Sequence, residues 1–193
     1  RDDVESRGLG DVYKRQSFNR LSNILKSAGA VLGKQTVINY VGYMMDSYML
    51  FTLQNYAAKL VEKETSPKYY FMDTGLLGLM LMDCSSAQLE NLVAIELIRR
   101  YGRENVFYFE KNVEIDFYVP EEKLAIQVSL QVLDQIDTRE REIGAFVKLK
   151  NFIGDATCLL ITNSEEEELD YEGVHVSVVP VWKWLLQNRK QDI

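Results

Sequence analysis

Two neighbouring segments of the chain place polar side chains at every second position, which is the pattern of half-polar β-strands. The first segment runs from Val113 to Pro120, and the second runs from Leu124 to Val132. Because side chains alternate between the two faces of a strand, one face of the first strand is predicted to carry Glu114, Asp116 and Tyr118. The matching face of the second strand carries Gln127, Ser129 and Gln131. We expect the two strands to be adjacent and to share this polar face.

An amphipathic helix that contains two further carboxylates is predicted just upstream, from about Ser85 to Tyr101. Glu90 and Glu96 are separated by about 600° around the helix, so we expect only one of them to reach the polar hairpin. Glu90 is favoured because it lies nearer the start of the helix. Clustered carboxylates bind a hard cation such as Mg²⁺, which polarises a scissile phosphate and lowers the pKa of its bound water.

The order of these residues resembles the active site of the PD-(D/E)-x-K nuclease superfamily: a helix Glu, a hairpin Asp, then two residues at alternate positions of the next strand. An active member carries Glu or Asp and then Lys at the last two places, where this chain has Gln127 and Ser129. Loss of a single preorganised charge-stabilising donor typically costs roughly 10²–10³ in rate. The resemblance therefore implies a nuclease-like fold whose degenerate site, with Glu114 and Gln131 as supporting polar residues, has lost its cutting activity. That site comprises Glu90, Asp116, Gln127 and Ser129.

Composition limits the number of domains, the cellular location and the kinds of metal or disulfide site that the chain can have. The 193 residues are 47% hydrophobic and 26% charged, which suits one large or two small globular domains. No run of about 18 apolar residues and no signal segment occur, so we expect no membrane partner and a cytoplasmic location. Cys84 and Cys158 are predicted to be buried reduced thiols. The single histidine, His175, excludes a His-rich zinc site and is predicted at the surface or at a strand edge.

Residues 1–16 are expected to be non-native. Asp11–Gln16 resembles the translation of a transposase mosaic-end adapter used in sequencing libraries. We therefore expect the natural start of the gene to be missing, and the interpretation of the fold begins at Ser17.

Residues 17–66 are predicted to form a winged helix-turn-helix. Apolar side chains fall at helical spacing in 17–27 and again after Gly33, and a hairpin is expected from 48–53 and 56–61. This segment carries five Lys/Arg against three Asp/Glu, a net charge of +2, whereas 67–193 carries thirteen against twenty-two, a net charge of −9. The polar side of the second helix is the predicted nucleic-acid contact, and it consists of Lys34, Gln35, Thr36, Asn39 and Tyr40.

Residues 67–193 are predicted to form a restriction-endonuclease-like mixed sheet flanked by helices, which makes the chain α/β (α+β). A strand running into a helix is expected at Lys68–Leu77, with Asp73 or Thr74 as the helix cap. Later strands are expected at 106–110, 156–162 and 174–179, with the 158–161 run in a central strand. Helices are expected at 139–152 and 181–187, and 165–168 is predicted to be an acidic surface loop.

A second resemblance rests on four segments: Tyr70–Leu76, Leu89–Leu97, Val113–Phe117 and Ala125–Ser129. Through them the chain from Ser17 to Gln187 resembles the C-terminal domain of unknown function (DUF4143) that follows the ATPase module in bacterial and archaeal AAA-type ATPases. That family usually has Ile-Glu-Val-Lys at the last motif, so this chain departs from it at Gln127 and Ser129. The resemblance implies an N-terminal ATPase domain as a partner. No Gly-x-x-x-x-Gly-Lys-[Ser/Thr] motif occurs, so this fragment is not expected to bind ATP.

Three hypotheses from different classes follow. In the first, the chain is a DNA- or partner-recognition module that regulates the ATPase, needs no cofactor and has no turnover. In the second, it is an active DNA nuclease dependent on Mg²⁺ or Mn²⁺, with Glu90 and Asp116 as metal ligands and with Glu114 or Glu110 replacing the missing ligand. In the third, it is a purely structural protein-interaction domain, for which the acidic charge of 67–193 is the main argument.

Overall fold

A computed structural model of the chain describes residues 32–58, 67–76, 85–133 and 136–187. The chain divides into two structural units. Described residues 32–54 and 67–76 belong to the first unit, and 55–58, 85–133 and 136–187 belong to the second. The adapter-like residues 1–16 and the helix predicted at 17–27 lie outside the described residues.

The first unit contains a helix and a two-stranded ribbon. Helix α1 is Lys34–Asp46, strand β1 is Leu50–Asn55 and strand β2 is Lys68–Phe71. Helix α1 confirms the helix predicted after Gly33, since its apolar spacing buries one side of the helix. A small apolar core joins the helix to the ribbon; it comprises Leu50, Phe71, Val41, Met44, Met45 and Leu76.

The partner of β1 differs from the predicted hairpin. Strand β1 pairs antiparallel with β2, with Leu50 opposite Phe71 and Leu53 opposite Lys68. Residues 56–58 form a turn and a bend instead of the predicted second strand, and 59–61 lie outside the described residues. A stacked Phe51–Tyr70 pair, with ring centroids 5.6 Å apart, favours this pairing. Strand β2 is thus grouped with the first unit, although the sequence suggested a boundary at Ser66-Pro67.

The predicted transition from strand to helix after β2 is confirmed as far as Leu76. Residues 74–76 are helical, and Oδ1 of Asp73 accepts a hydrogen bond from the backbone N–H of Gly75 at 2.7 Å. This contact satisfies one of the amides left without an intrahelical partner at a helix start, which is the capping role expected of Asp73.

The second unit alternates helices with strands in the predicted order, except for one strand, β7, that was not predicted. Its helices are α2 (Ser85–Tyr101), α3 (Ile136–Ile153) and α4 (Val181–Leu186), and a short 3₁₀ turn spans Arg103–Asn105. Its strands are β3 (Phe107–Glu110), β4 (Glu114–Val119), β5 (Leu124–Val128), β6 (Thr157–Thr162), β7 (Glu167–Tyr171) and β8 (Val174–Pro180).

These strands form a mixed sheet in the order β3-β4-β5-β6-β8-β7. The pairs β3–β4, β4–β5 and β7–β8 are antiparallel, whereas β6 is parallel to both β5 and β8. This arrangement confirms the predicted central position of the apolar strand at 157–162. Helix α2 packs on β5 and helix α3 on β4, β7 and β8, so the helices hold the middle of the sheet away from water.

A β-bulge changes the predicted faces of β4. Phe107 lies opposite Tyr118 and Phe109 lies opposite Ile115, so β4 has one more residue than β3 over this interval. The extra residue shifts the alternation, and Tyr118 joins Ile115 in the hydrophobic core cluster. The expectation that Tyr118 shares a face with Glu114 and Asp116 was therefore wrong.

The acidic segment after β6 is only partly a loop. Glu167 and Glu168 belong to β7, an edge strand in which Leu169 is the one buried residue. Glu172 and Gly173 then have φ values of 47° and 76°, the conformation typical of a tight two-residue hairpin turn. Charged residues on an edge strand discourage pairing with other sheets, so high charge was a poor guide to loop structure here.

Candidate functional site

The sheet forks between β4 and β5 at the residues predicted to form the site. The two strands pair from Val119/Leu124 to Phe117/Ile126. Before Phe117, β4 continues its pairing with β3 as far as Glu114, while β5 continues its pairing with β6 as far as Val128. The described register therefore leaves Asp116 and Gln127 at the point where the two strands separate.

The side chains of Asp116 and Gln127 close this fork. The backbone N–H of Asp116 donates to Oε1 of Gln127 at 2.8 Å, and Nε2 of Gln127 donates to the carbonyl of Glu114 at 3.2 Å. In return, Oδ2 of Asp116 accepts from the backbone N–H of Val128 at 3.0 Å. Both side chains are buried, with 8% and 5% of their residues' surface exposed, so these bonds satisfy groups that water cannot reach.

The hydrogen bonds at the fork depend on an amide at position 127. A carboxylate at position 127 would accept the Asp116 N–H but could not donate to the Glu114 carbonyl, whereas an amide does both. Oε1 of Gln127 and Oδ2 of Asp116 are thus directed at backbone amides, while Mg²⁺ requires several oxygens directed at one point. Among the residues that the structure describes, no three Asp, Glu, His or Cys side chains are grouped to hold a metal.

Helix α2 carries its two glutamates in different surroundings. Glu96 accepts hydrogen bonds from Arg99 at 2.7–2.8 Å and from Arg100 at 2.7 Å. These hydrogen bonds, that of Arg99 foremost, lower the pKa of Glu96, although burial opposes them. Glu90 is almost fully buried, with 1% of its surface exposed, on the helix that packs against β5. Glu90, the helix carboxylate predicted for the site, thus lies in the interior of the second unit.

The supporting polar residues are not all on strands. Glu114 lies directly opposite Glu110 across the β3–β4 pair, and both are half-buried. Strand β5 ends at Val128 rather than continuing to Val132 as predicted. Ser129 is half-buried, and its Oγ donates to the carbonyl of the exposed Gln131 at 3.1 Å.

A polar depression of about 640 Å³ lies beside Ser129, at the carboxyl ends of β5 and β6. Among the lining residues that the structure describes, Arg141 is the charged one, and its guanidinium pairs with Glu142 at 2.6 Å. Reading the sequence did not single out Arg141, because an arginine within a charged helix carries no signal of a site. The other lining residues are Ser85, Ser86, Ser129, Leu130, Gln131, Thr138 and Asn163.

The predicted nucleic-acid contact on α1 is largely exposed, with Thr36 half-buried. Gln35 donates to Asn39 at 3.1 Å, and Tyr40 is 52% exposed. Tyr43, which was not among the predicted contacts, is 63% exposed. Lys34 is the single cation within the Lys34–Asp46 helix, so this helix by itself offers little positive charge for a phosphate backbone.

The remaining predictions concern the cysteines, the histidine and the membrane. Cys158 is buried with a free thiol, as predicted, and Cys84 lies outside the described residues. His175 is exposed on β8, next to the edge strand β7. No helix in the described ranges is long and apolar enough to cross a membrane.

Comparison with known proteins gives two matches. Residues 10–88 match a family described as a domain of unknown function (DUF8612). The uncharacterized protein MJ1544 of Methanocaldococcus jannaschii is 32% identical over 180 residues, which cover 88% of this chain and 40% of that protein. No solved structure matches the chain. The DUF4143 resemblance drawn from the motifs remains a hypothesis.

Proposed function

We propose that the second unit is a nuclease-like recognition domain that no longer cuts DNA. The observation that carries this proposal is the bonding of the Gln127 amide to both Asp116 and Glu114. An active site of the proposed class needs a carboxylate at this position, and here the position instead joins two strands. The fork retains its shape because a neutral amide stabilises it without a cation.

The order of elements supports the nuclease-like fold. Helix α2 carries Glu90, the hairpin of β4 and β5 carries Asp116 and Gln127, and the chain then crosses through α3 to the parallel strand β6. The first unit, with helix α1 and a ribbon, is the proposed winged helix. The matched relative is about two and a half times as long as the aligned segment, which supports a place in a larger protein such as the proposed AAA-type ATPase.

The second candidate is an active nuclease that uses Glu90, Glu114 and Asp116. The carboxylates of Glu110 and Glu114 favour it, because Glu114 lies two residues before Asp116 on β4 and Glu110 lies opposite Glu114 on β3. The third candidate, a structural interaction domain, draws on the net charge of −9 for residues 67–193 and on the single cation of α1.

A cleavage assay separates the first two candidates. The full chain is incubated with linear, supercoiled and branched DNA in Mg²⁺ and in Mn²⁺, beside Asp116→Asn. Asn keeps an oxygen that can accept the Val128 N–H, so this variant tests charge with less risk to folding than Ala. We expect no cutting by either protein. Cutting that Asp116→Asn abolishes would overturn the proposal in favour of the nuclease.

A binding assay separates DNA recognition from partner recognition. Fluorescence anisotropy with duplex DNA is measured at low and at physiological salt, for the wild type and for Lys34→Gln. Affinity that falls steeply with salt and falls further in the variant would support contact by α1. Absent or salt-independent binding would remove DNA as the ligand and leave a protein partner.

A further inference from the structure

His175 lies between two carboxylates of the neighbouring strand. Its Nδ1 is 2.9 Å from Oδ1 of Asp170, and its Nε2 is 3.1 Å from Oε2 of Glu168. Asp170 is directly opposite His175 in the β7–β8 register, and Glu168 is two residues along the same strand. The imidazole thus bridges two positions of the edge strand β7 from one position of β8.

The chemistry of imidazole makes this bridge depend on a proton. A neutral imidazole has a single N–H, so it donates to one of the two carboxylates and turns a lone pair toward the other. Imidazolium has two N–H groups and donates to both carboxylates. Because both ring nitrogens lie within hydrogen-bond distance of a carboxylate oxygen, the protonated ring satisfies both contacts, whereas the neutral ring satisfies one.

The charged groups around the bridge are engaged in pairs of their own. Lys150 of α3 pairs with Asp155 at 3.0 Å, and both line a surface pocket of about 290 Å³ together with His175. Lys183 of α4 pairs with Glu166 just before β7. Glu167 and Glu172 add negative charge to the same hairpin. His175 is therefore the group that balances Glu168 and Asp170.

Besides its backbone pairing with β8 and its packing against α3, strand β7 is connected to β8 by the side-chain contacts of His175. It is the last strand of the sheet, and Leu169 is its one buried side chain. We infer that the β7–β8 hairpin is a pH-sensitive edge, in which protonated His175 holds β7 against the sheet and deprotonation releases one carboxylate and loosens the strand.

The direction of the pH effect follows from linkage. The hydrogen bond with Asp170 is the largest cause that raises the pKa of His175 above its ordinary value of 6.5, and Glu168 adds to it. A group with a raised pKa in the folded state contributes its full stabilisation below the unfolded value and loses it as pH rises through the folded value. The hairpin edge is thus stabilised at pH 6.5 and is expected to loosen as the pH rises through the raised pKa of His175.

An NMR titration tests the bridge directly, because the chain has one histidine and so one imidazole Cε1–H signal. We expect the midpoint of the wild type to lie at higher pH than that of the double variant Glu168→Gln/Asp170→Asn. Equal midpoints would overturn the inference, since the carboxylates would then not bind the ring in solution.

Hydrogen exchange of the backbone amides of Glu167–Tyr171 tests whether strand β7 loosens when His175 loses its proton. After correction for the intrinsic exchange rate, we expect the opening equilibrium constant of these amides to increase roughly two- to fivefold between about pH 5.5 and about pH 8. An increase of this size is typical of the loss of an exposed ion pair. In His175→Gln this increase should disappear. Lys183→Gln is the control, since it removes a contact near β7 that does not titrate in this range. Equal protection of the wild type at both pH values, or an unchanged increase in His175→Gln, would overturn the inference.

Discussion

Asp116 and Gln127 each hydrogen-bond to the backbone of the other's strand: the amide of Asp116 donates to the Gln127 side chain, and the amide of Val128 donates to the Asp116 side chain. These bonds replace the regular β4–β5 ladder where the strands separate. Removing either side chain should therefore affect stability, whatever the activity of the site.

The variant Gln127→Glu tests whether the side-chain hydrogen bonds take the place of the β4–β5 ladder. The variant removes the donor to the Glu114 carbonyl and places a second carboxylate beside Asp116, so we expect a loss of about 1–3 kcal/mol in the free energy of unfolding. Gln131→Glu makes the same chemical change at an exposed position and should stay within about 0.5 kcal/mol of the wild type. Urea unfolding at neutral pH measures both. Equal losses would mean that Gln127 has no special role in joining the strands.

Arg100 joins helix α2 to helix α4. Its guanidinium lies 4.0 Å from the ring centroid of Trp184, donates to the Trp184 carbonyl at 3.0 Å and pairs with Glu96 at 2.7 Å. The Arg100 side chain is only 7% exposed, so we expect Arg100→Ala to cost about 2–4 kcal/mol in the free energy of unfolding.

Arg99 is the matched control for Arg100. It also pairs with Glu96 at 2.7 Å, but its side chain is 56% exposed. Arg99→Ala should therefore cost less than about 1 kcal/mol in the same urea experiment. A loss for Arg99→Ala as large as that for Arg100→Ala would contradict the view that contact with Trp184 and burial decide the energy.

Glu96 should make stability depend on acid pH. Its pKa is lowered below the ordinary value of 4.5, first by the hydrogen bond from Arg99 and further by Arg100. A lowered pKa in the folded state means that the stabilisation is present above pH 4.5 and is lost as pH falls through the folded value. Unfolding free energies between about pH 3 and pH 7 should fall less steeply with acid in Glu96→Gln than in the wild type. Parallel curves would show that the pair is not formed in solution.

Cys158 should be unreactive in the folded protein. Burial raises the pKa of its thiol to about 11, so less than about one thousandth is thiolate near pH 7.5. In a Cys84→Ser background, labelling by a thiol reagent should be slow in buffer and fast in urea. Labelling of the folded chain at the rate of a free thiol would show that the interior near Cys158 opens readily.

Local periodicity predicted the elements well. The helices at 34–46 and 85–101 and the strands at 114–119 and 157–162 follow from the spacing of apolar residues, which is a property of each segment alone. The same spacing brought Asp116 and Gln127 together as neighbours. The spacing did not predict the hydrogen bonds that these two side chains make. Those bonds depend on which backbone N–H and C=O groups lack a ladder partner where β4 and β5 separate, and this is a property of the folded sheet.

The sequence by itself determined which segments become strands and helices and which polar residues lie near the fork, since side-chain period and hydrophobicity are local. The tertiary structure alone decided that β1 pairs with β2 while 56–58 form a turn and a bend, and that a bulge places Tyr118 in the core. It also decided that Glu96 is held by arginines and that an acidic stretch becomes the edge strand β7. These outcomes depend on contacts between segments distant along the chain, where packing and burial outweigh local preference.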